Sequence, residues 1–313
     1  MPKVSIGLPV YNGSNYVGSA LEAILAQTYT DFEVVICDNA STDDTQEICE
    51  SFAARDPRIR YIRNPENLGA SPNFNKTFHE STGQYFAWHA HDDYYEPTWL
   101  ERCVEALDND PDVVLSYTRL NMLDMEGNRL IYDAAKNEYE DRHGNRFMGE
   151  DGARIAEQKR ADLRFKSVLL DVCWCLQVFG LFRRTFLETS ELQRSYYGAD
   201  KVLLAESAIV GKWKQIQEDL FNKRVHPKMS FFQSRVQKNK WIDSKSPVRS
   251  IAQVEMVKNY IAAIRASTMT PYQKIHSVLT VASMPFKRKN FWQKIFIPGP
   301  QNYLGIDFSR ARS

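Results

Sequence analysis

Nowhere in the 313 residues is there an uninterrupted apolar run of about 18 residues, so no transmembrane helix is expected. A signal-peptide layout is also missing, and the chain enters a strand pattern, VSIGLPV, almost at once. Cysteine is scarce and odd in number: Cys37, Cys49, Cys103, Cys173 and Cys175. Three of the five lie in apolar segments, which points to reduced thiols and a cytoplasmic location rather than a disulfide framework. Cys173-Trp174-Cys175 lacks zinc-ligand spacing and is expected to pack in the core. There is no internal repeat and no low-complexity tract. No recognised nucleic-acid module is present, so nucleic acid is not an expected partner.

What is present is an ordinary globular composition, 43% hydrophobic and 25% charged, in a chain long enough for one large domain or two modest ones. The net charge of +1 hides an asymmetry. Residues 221–313 hold 17 Lys+Arg against 3 Asp+Glu, a balance of +14, and the remainder carries −13. An acidic body with a basic end segment suits a polyanion or an anionic membrane surface as neighbour, and equally a solvated helical surface.

The first 118 residues alternate strand and helix signals. Strands are expected at 3–9, 32–38, 59–63, 85–89 and 113–118, where β-branched and apolar residues run together. Helices are expected at 14–28, capped by Ser14, after a cap at Ser41 or Thr42, and at 72–81 and 97–107. This order predicts a Rossmann-like, mostly parallel α/β sheet flanked by helices. Ligands of such sheets bind beyond the carboxyl ends of the strands. Tyr11 and Asn12, Asp38 and Asn39, and His91 to Asp93 should therefore converge on one crevice. Residues 119–170 read as a polar, irregular insertion over the site. Residues 171–186 rejoin the core, 197–215 form a helix, and the chain after Pro227 reads as helices, including 248–266 and 271–282.

Within FAWHAHDDYYEP (86–97), Asp92 and Asp93 end a buried strand on two like charges. Adjacent carboxylates at that position suit a hard divalent cation, Mg²⁺ or Mn²⁺, which prefers carboxylate oxygen and bridges substrate phosphates. The alternative is a cap by Asp93 on the helix after Pro97.

The segments PVYNG (9–13), CDNASTDDT (37–45), NPENLGASPNFN (64–75), STGQYFAWHAHDD (81–93) and the Pro97 that follows resemble family 2 glycosyltransferases of the GT-A fold, in order and spacing. GADKVLLAESAIVGKW (198–213) and LFNKRVH (220–226) are similar to that family's acceptor-side segment. The resemblance covers residues 3–230. It implies a GT-A catalytic domain at 1–226, with a nucleotide-sugar-binding half at 1–118 and an acceptor-side half at 119–226. A basic helical region follows at 227–313.

The resemblance also implies roles. Pro9 and Tyr11 would line the nucleobase slot, where an aromatic ring stacks on a base. Asn12 belongs to the same strand-end loop. Asp38 would accept the uracil imide N–H, or else cap the following helix. Asn67, Gly69 and Asn75 would fix the loop and helix beside the ribose and diphosphate, and Gly69 is equally at home in a plain turn. Asp92 would ligate the metal on the diphosphate, and Asp93 would orient the donor sugar or a basic neighbour. Where the family has Asp-x-Asp-Asp, this chain has Ala90-His91-Asp92-Asp93, and His91 would replace the missing hydrogen bond. Asp200 matches the general base, although the usual Glu-Asp is Ala199-Asp200; a helix cap is the other reading. His226 would complete the metal shell or reach the diphosphate, Arg224 is a phosphate candidate, and Arg183 and Arg184 would face an anionic acceptor or solvent.

The implied reaction is inverting transfer of one sugar from a nucleotide-diphospho-sugar, most commonly a UDP-sugar, in polysaccharide or glycoconjugate synthesis. The acceptor is a hydroxyl of a glycan or a polyprenyl-diphosphate-linked molecule, and Mn²⁺ or Mg²⁺ is the cofactor. Processive relatives carry Gln-x-x-Arg-Trp. Here Trp241 follows Arg235 by six residues, so a single transfer is expected. The segment 285–300, PFKRKNFWQKIFIPGP, is basic and aromatic, as in segments lying on an anionic membrane, and suggests a peripheral position on the membrane's inner face. Two competing functions are a sugar nucleotidyltransferase and a degenerate nucleotide-sugar-binding scaffold. The first calls for a basic phosphate loop, and PVYNGSNY has no Lys or Arg. The second is favoured by Ala90 and Ala199 and opposed by Asp92 and Asp200.

Overall fold

The computed structural model describes residues 1–149, 155–226, 229, 235–244 and 252–287. Its first strands are β1 (Val4–Val10), β2 (Phe32–Asp38), β3 (Ile59–Arg63) and β4 (Tyr85–Trp88), all but the edge strand β3 apolar runs. Every residue of β1 and β4 is buried, which continuous apolar strands require when helices cover both faces. They alternate with α1 (Val17–Leu25), α2 (Thr45–Arg55) and α3 (Ala70–His79). Then come β5 (Tyr94–Tyr95), α4 (Trp99–Asn109) and β6 (Val113–Leu123). The second half contributes α5 (Ala161–Asp171), β10 (Leu181–Arg183), α6 (Arg184–Glu188), α7 (Ala199–Val210) and β11 (Lys212–Arg224). It ends in α8 (Arg235–Ile242), α9 (Ala252–Ala266) and α10 (Pro271–Lys287).

The main sheet has eight strands in the order β3-β2-β1-β4-β10-β6-β11-β5. β3, β2, β1 and β4 are parallel, β6 and β11 are parallel, and β10 and β5 run against their neighbours. The expected mostly parallel α/β architecture is observed. The sheet separates two apolar layers, and alternation along β4 shows why: Tyr85 and Ala87 face one, Phe86 and Trp88 the other. On the first side lie the apolar faces of α1, α2 and α4. On the second lie α5, α7, α9 and α10, so Tyr260, Ile264, Val281 and Met284 from the end of the chain share one core with Phe86 and Trp88.

Several local expectations change. Ser14 does not cap α1, which starts at Val17 with the Val17 N–H bonded to Gly13 O at 2.9 Å. Neither Ser41 nor Thr42 caps α2. The N-cap is Asp44, which makes no side-chain cap bond; just ahead of it Asp43 Oδ1 accepts the Thr45 N–H at 3.2 Å. Residues 119–170 are less irregular than their polarity suggests. β6 continues to Leu123, and β7 (Ile131–Asp133), β8 (Glu138–Glu140) and β9 (Arg146–Met148) form a small antiparallel sheet. The helix expected at 197–215 stops at Val210, because Gly211 packs its bare Cα on Val114 and the chain turns into β11. Cys175 is buried as expected, but Cys173 is exposed. Arg183 and Arg184 are half-buried. Arg183 donates to the carbonyls of Val113 and Leu107, and Arg184 to Gly83 O and Ser81 Oγ, which ties loops at the opposite edge of the sheet from the strand-end crevice. The segment 285–300 lies outside the described residues beyond Lys287, as do residues 245–251 at the start of the helix expected at 248–266.

Candidate active site

The crevice opens where β1 and β4 end, at the switch point of the sheet. Gly7 O accepts the His89 N–H, so Pro9, two residues on, presents its missing N–H to the side where β4 has already ended. The proline therefore costs no ladder bond. Tyr11 follows with an exposed ring, and Asn12 takes a left-handed turn at φ 49°. Asn12 and the loop after β2 hold each other: the Asn12 N–H donates to Ser41 Oγ at 2.9 Å, and Asn12 Oδ1 accepts the Thr42 N–H at 2.8 Å. Asp43 accepts the Ser14 N–H as well, and although burial opposes its charge, these bonds hold its carboxyl down at about 2.

Asp38 lies at the end of β2, fully buried. Its Oδ1 accepts the Ser41 N–H at 2.9 Å and its Oδ2 the Tyr61 hydroxyl at 2.7 Å. Asp38 does not cap α2, whose N-cap is Asp44; in the structure it fixes the turn after β2. Behind it stands a buried amide network that was not anticipated. Asn39 donates to Asn67 Oδ1 at 2.9 Å and accepts from Leu68 N–H and Asn64 Nδ2. Asn64 donates to Asn73 Oδ1 at 2.8 Å, and Asn73 donates to Cys37 O. A run so rich in asparagine, NPENLGASPNFN, is the only trace of it in the sequence. Asn67 also accepts the Gly69 N–H. Asn75 grips both backbone groups of Gln193 at 2.9 Å, joining α3 to the loop before α7.

Gly69 is required twice over. Its φ of 92° with ψ of 169° is open essentially to glycine alone, and a Cβ there would sit 2.6 Å from Asp243 Cα and 2.7 Å from Ile242 O. Gly69→Ala is expected to destabilise the fold by about 1–3 kcal/mol. Urea denaturation checks this, and an unchanged midpoint would refute it.

The loop after β4 is anchored on its aromatic side and open on its polar side. His89 is buried, its Nδ1 2.7 Å from Ala90 O, and burial pushes its imidazole down to about 4, so it is neutral. It stands edge-on to Tyr95, which stacks on Trp99 with centroids 3.7 Å apart. His91 packs against Gly13, where any Cβ would meet its ring at 2.6 Å. Between these anchors, the two aspartates turn apart. Asp93 is buried against the ammonium of Lys223 at 2.9 Å and accepts the Arg224 N–H at 3.0 Å. Asp92 Oδ2 lies 2.8 Å from His226 Nε2, with both side chains slightly exposed. Burial raises the Asp93 carboxyl above its usual range, against the pull of Lys223. Burial also opposes ionisation of Asp92, but the charges of Lys223 and the bond to His226 outweigh it and hold its pKa well below the usual range. Neighbouring carboxyls pushed in opposite directions are a common feature of reactive sites.

Lys223 escaped the sequence reading, since its partner is 130 residues away. Arg224 donates from Nε to Asp92 O and from Nη1 to the carbonyls of Asp124 and Met125, and its guanidinium lies over the Tyr16 ring at 4.7 Å. Asp200 lies in the first turn of α7. It accepts the Lys201 N–H at 2.8 Å and has no ion pair among the described residues; burial raises its pKa.

Among the described residues no group of three or more His, Cys, Asp or Glu side chains is gathered as for a metal ion. Asp92 and His226 do fit a cation of the Mg²⁺ or Mn²⁺ kind, which takes one or two protein ligands and fills its other positions with phosphate oxygens and water.

The sequence profile of "Glycosyl transferase family 2" matches residues 5–174. The chain belongs to glycosyl transferase family 2. Among curated relatives, this family 2 chain is 38% identical to a chondroitin synthase of Escherichia coli over 128 residues, 41% of this chain and 18% of the synthase. It is 28% identical over 267 residues to an uncharacterized glycosyltransferase of a Nostoc species, covering 83% of this chain and 74% of that one. The chain thus spans under a fifth of the Escherichia coli relative, and 40% of an uncharacterized glycosyltransferase of Rickettsia typhi. Among solved structures, TarS 1–349 of S. aureus in complex with UDP-GlcNAc matches with a TM-score of 0.64 at 14% identity, over 94% of this chain and 76% of that one. The mannosyltransferase PcManGT of Pyrobaculum calidifontis, in complex with GDP-Man and Mn2+, matches with 0.56 at 16% identity, over 94% and 74%. These likenesses establish a shared GT-A fold.

Proposed function

We propose that the protein is an inverting glycosyltransferase that moves one sugar from a nucleotide-diphospho-sugar, in first place a UDP-sugar, to a hydroxyl of a glycan or lipid-linked acceptor. The observation that carries this reading is the meeting of Asp92 and His226, 134 residues apart in sequence, beside the loops that end β1 and β2. Relatives and neighbours support it: TarS is seen with UDP and UDP-GlcNAc, and PcManGT with GDP-Man and Mn2+.

In this reading Tyr11 stacks on the base, with Pro9, Asn12 and the Asp38–Ser41 turn forming the slot around it. Asn67, Gly69 and Asn75 hold the walls beside the ribose and diphosphate. Asp92 and His226 hold Mn²⁺ or Mg²⁺, which when bound supplies positive charge to the departing nucleotide diphosphate. His91 takes the hydrogen-bonding place left by Ala90, and Asp93 keeps Lys223 charged at the back of the site. Asp200 removes the proton of the acceptor hydroxyl as the hydroxyl attacks the anomeric carbon. Attack opposite the leaving group inverts that centre.

Calorimetric titration of UDP with and without Mn²⁺ tests the donor half. Binding is expected to depend on the metal in the wild type and to fall by tenfold or more in Asp92→Ala, about the loss that follows removal of one charge-assisted ligand. UDP bound equally by both proteins would exclude Asp92 as the ligand. Failure to bind UDP, GDP or dTDP would exclude a nucleotide-sugar donor.

A further inference from the structure

α10 has two contrasting faces. Ser277, Thr280, Val281 and Met284 are buried. On the other side Tyr272, Ile275, Val278 and Leu279 are exposed by 67%, 62%, 41% and 61%. Spacings of three and four residues set them in one stripe along the helix, which the exposed Ala282 continues. Four of the eleven large apolar side chains exposed among the described residues are on this one face, a concentration that scattered surface residues do not produce.

Along the sequence, the charge flanking the stripe has one sign. Between Glu255 and Asp307 the sequence has no Asp or Glu and seven Lys+Arg. The Arg160 guanidinium, tied to the buried Asp162 at 2.7 Å, lies 5.3 Å from the Tyr272 ring and puts a cation at the rim of the stripe. His276 Nδ1, 2.7 Å from the same carboxylate, fastens the inner side of α10 to α5, so the apolar face is held outward. Beyond Lys287 the sequence continues Arg288-Lys289-Asn290-Phe291-Trp292, interleaving cations with aromatic residues.

We propose that the outer face of α10 docks on an anionic lipid bilayer. Apolar side chains enter the headgroup boundary while the surrounding Lys and Arg meet lipid phosphates. A second copy of the chain is the weaker occupant. Pairing two such faces brings like charges together, and a stripe of four side chains falls short of the roughly 800 Å² per partner of a stable protein interface. Among the described residues no helix is long and apolar enough to cross the membrane.

The test is cosedimentation of the full chain with lipid vesicles, and it reads binding rather than sugar transfer. At about 0.15 M salt, where the Debye length is about 8 Å, the chain should sediment with vesicles containing about 30% phosphatidylglycerol and not with pure phosphatidylcholine. Raising the salt to about 1 M should weaken binding. Ile275→Ser with Leu279→Ser should weaken it by about tenfold or more while the circular-dichroism melt stays that of the wild type, since both side chains face solvent. The proposal is overturned if anionic vesicles bind no protein, if the Ile275/Leu279 variant binds as the wild type does, or if light scattering finds a dimer that this variant dissociates.

Discussion

Replacing Asp200 with asparagine is expected to lower kcat for sugar transfer by about 10²–10⁴-fold, the usual worth of a positioned general base. UDP affinity should not change, because Asp200 shares no hydrogen bond with the Asp92 group, and this separates the variant from Asp92→Ala. Burial raises the Asp200 carboxyl, which must be ionised to accept a proton. The acid limb of the kcat–pH profile should therefore lie above the ordinary aspartate value of about 3.9, and it should vanish in the variant. Stability should move the other way. A carboxyl with a raised pKa in the folded state binds its proton more tightly there than in the unfolded chain. Its contribution is favourable at low pH and is lost as pH rises through the folded value. Asp200→Asn removes that cost, so its melting temperature at pH 7 should equal or exceed that of the wild type. A variant with full activity, or one that is inactive because it no longer folds, would remove Asp200 from the role.

The largest effect on stability is expected from Lys223→Met. Lys223 is 9% exposed and Asp93 1%, and the pair is completed by the Arg224 N–H. Burial opposes the charge on Lys223, but the carboxylates of Asp93 and Asp92 outweigh it and raise its pKa. Removing the ammonium leaves a buried carboxylate without a counter-charge, at a cost of about 3–5 kcal/mol. Asp93→Asn in the same background should recover much of this, since an amide needs no counter-ion. A urea-denaturation cycle over the two single variants and the double variant measures the coupling. Additive single effects would show that the pair is not a unit.

How far the site could be read from sequence follows from the physics of each part. β1, β2 and β4 were legible because strands covered on both faces become continuous apolar runs. β11 was not: KWKQIQEDLFNKR is polar, irregularly exposed and interrupted by register shifts at Lys212/Trp213, Ile216/Asp219 and Asp219/Phe221. β10, three residues long, carries too little pattern to announce a strand between β4 and β6. Asp92, Asp93 and His226 stood out as chemistry. Lys223 did not, because a buried lysine looks like any other until its partner is known. Asp38 was visible as a carboxylate at a strand end, while its engagement by Tyr61 depends on β3 lying beside β2. The cap assignments failed for a related reason: Ser14 and Ser41 are used between loops, where local sequence cannot choose the partner.

The position of β10 between β4 and β6 sets an order for making the protein. As the chain leaves the ribosome, α1 to α4 and the first four strands emerge well before residue 181, and until then β4 lacks one of its two neighbours. The strand bearing Lys223 and the following His226 emerge later still, so Asp92 and Asp93 wait without partners for about seven seconds at a synthesis rate of about 20 residues per second. During that interval the nascent chain presents an open sheet edge and an unneutralised pair of carboxylates. The half that carries β1 to β4 is thus translated first and completed last, and a nascent chain arrested before residue 212 should be held by chaperones rather than reach the native fold.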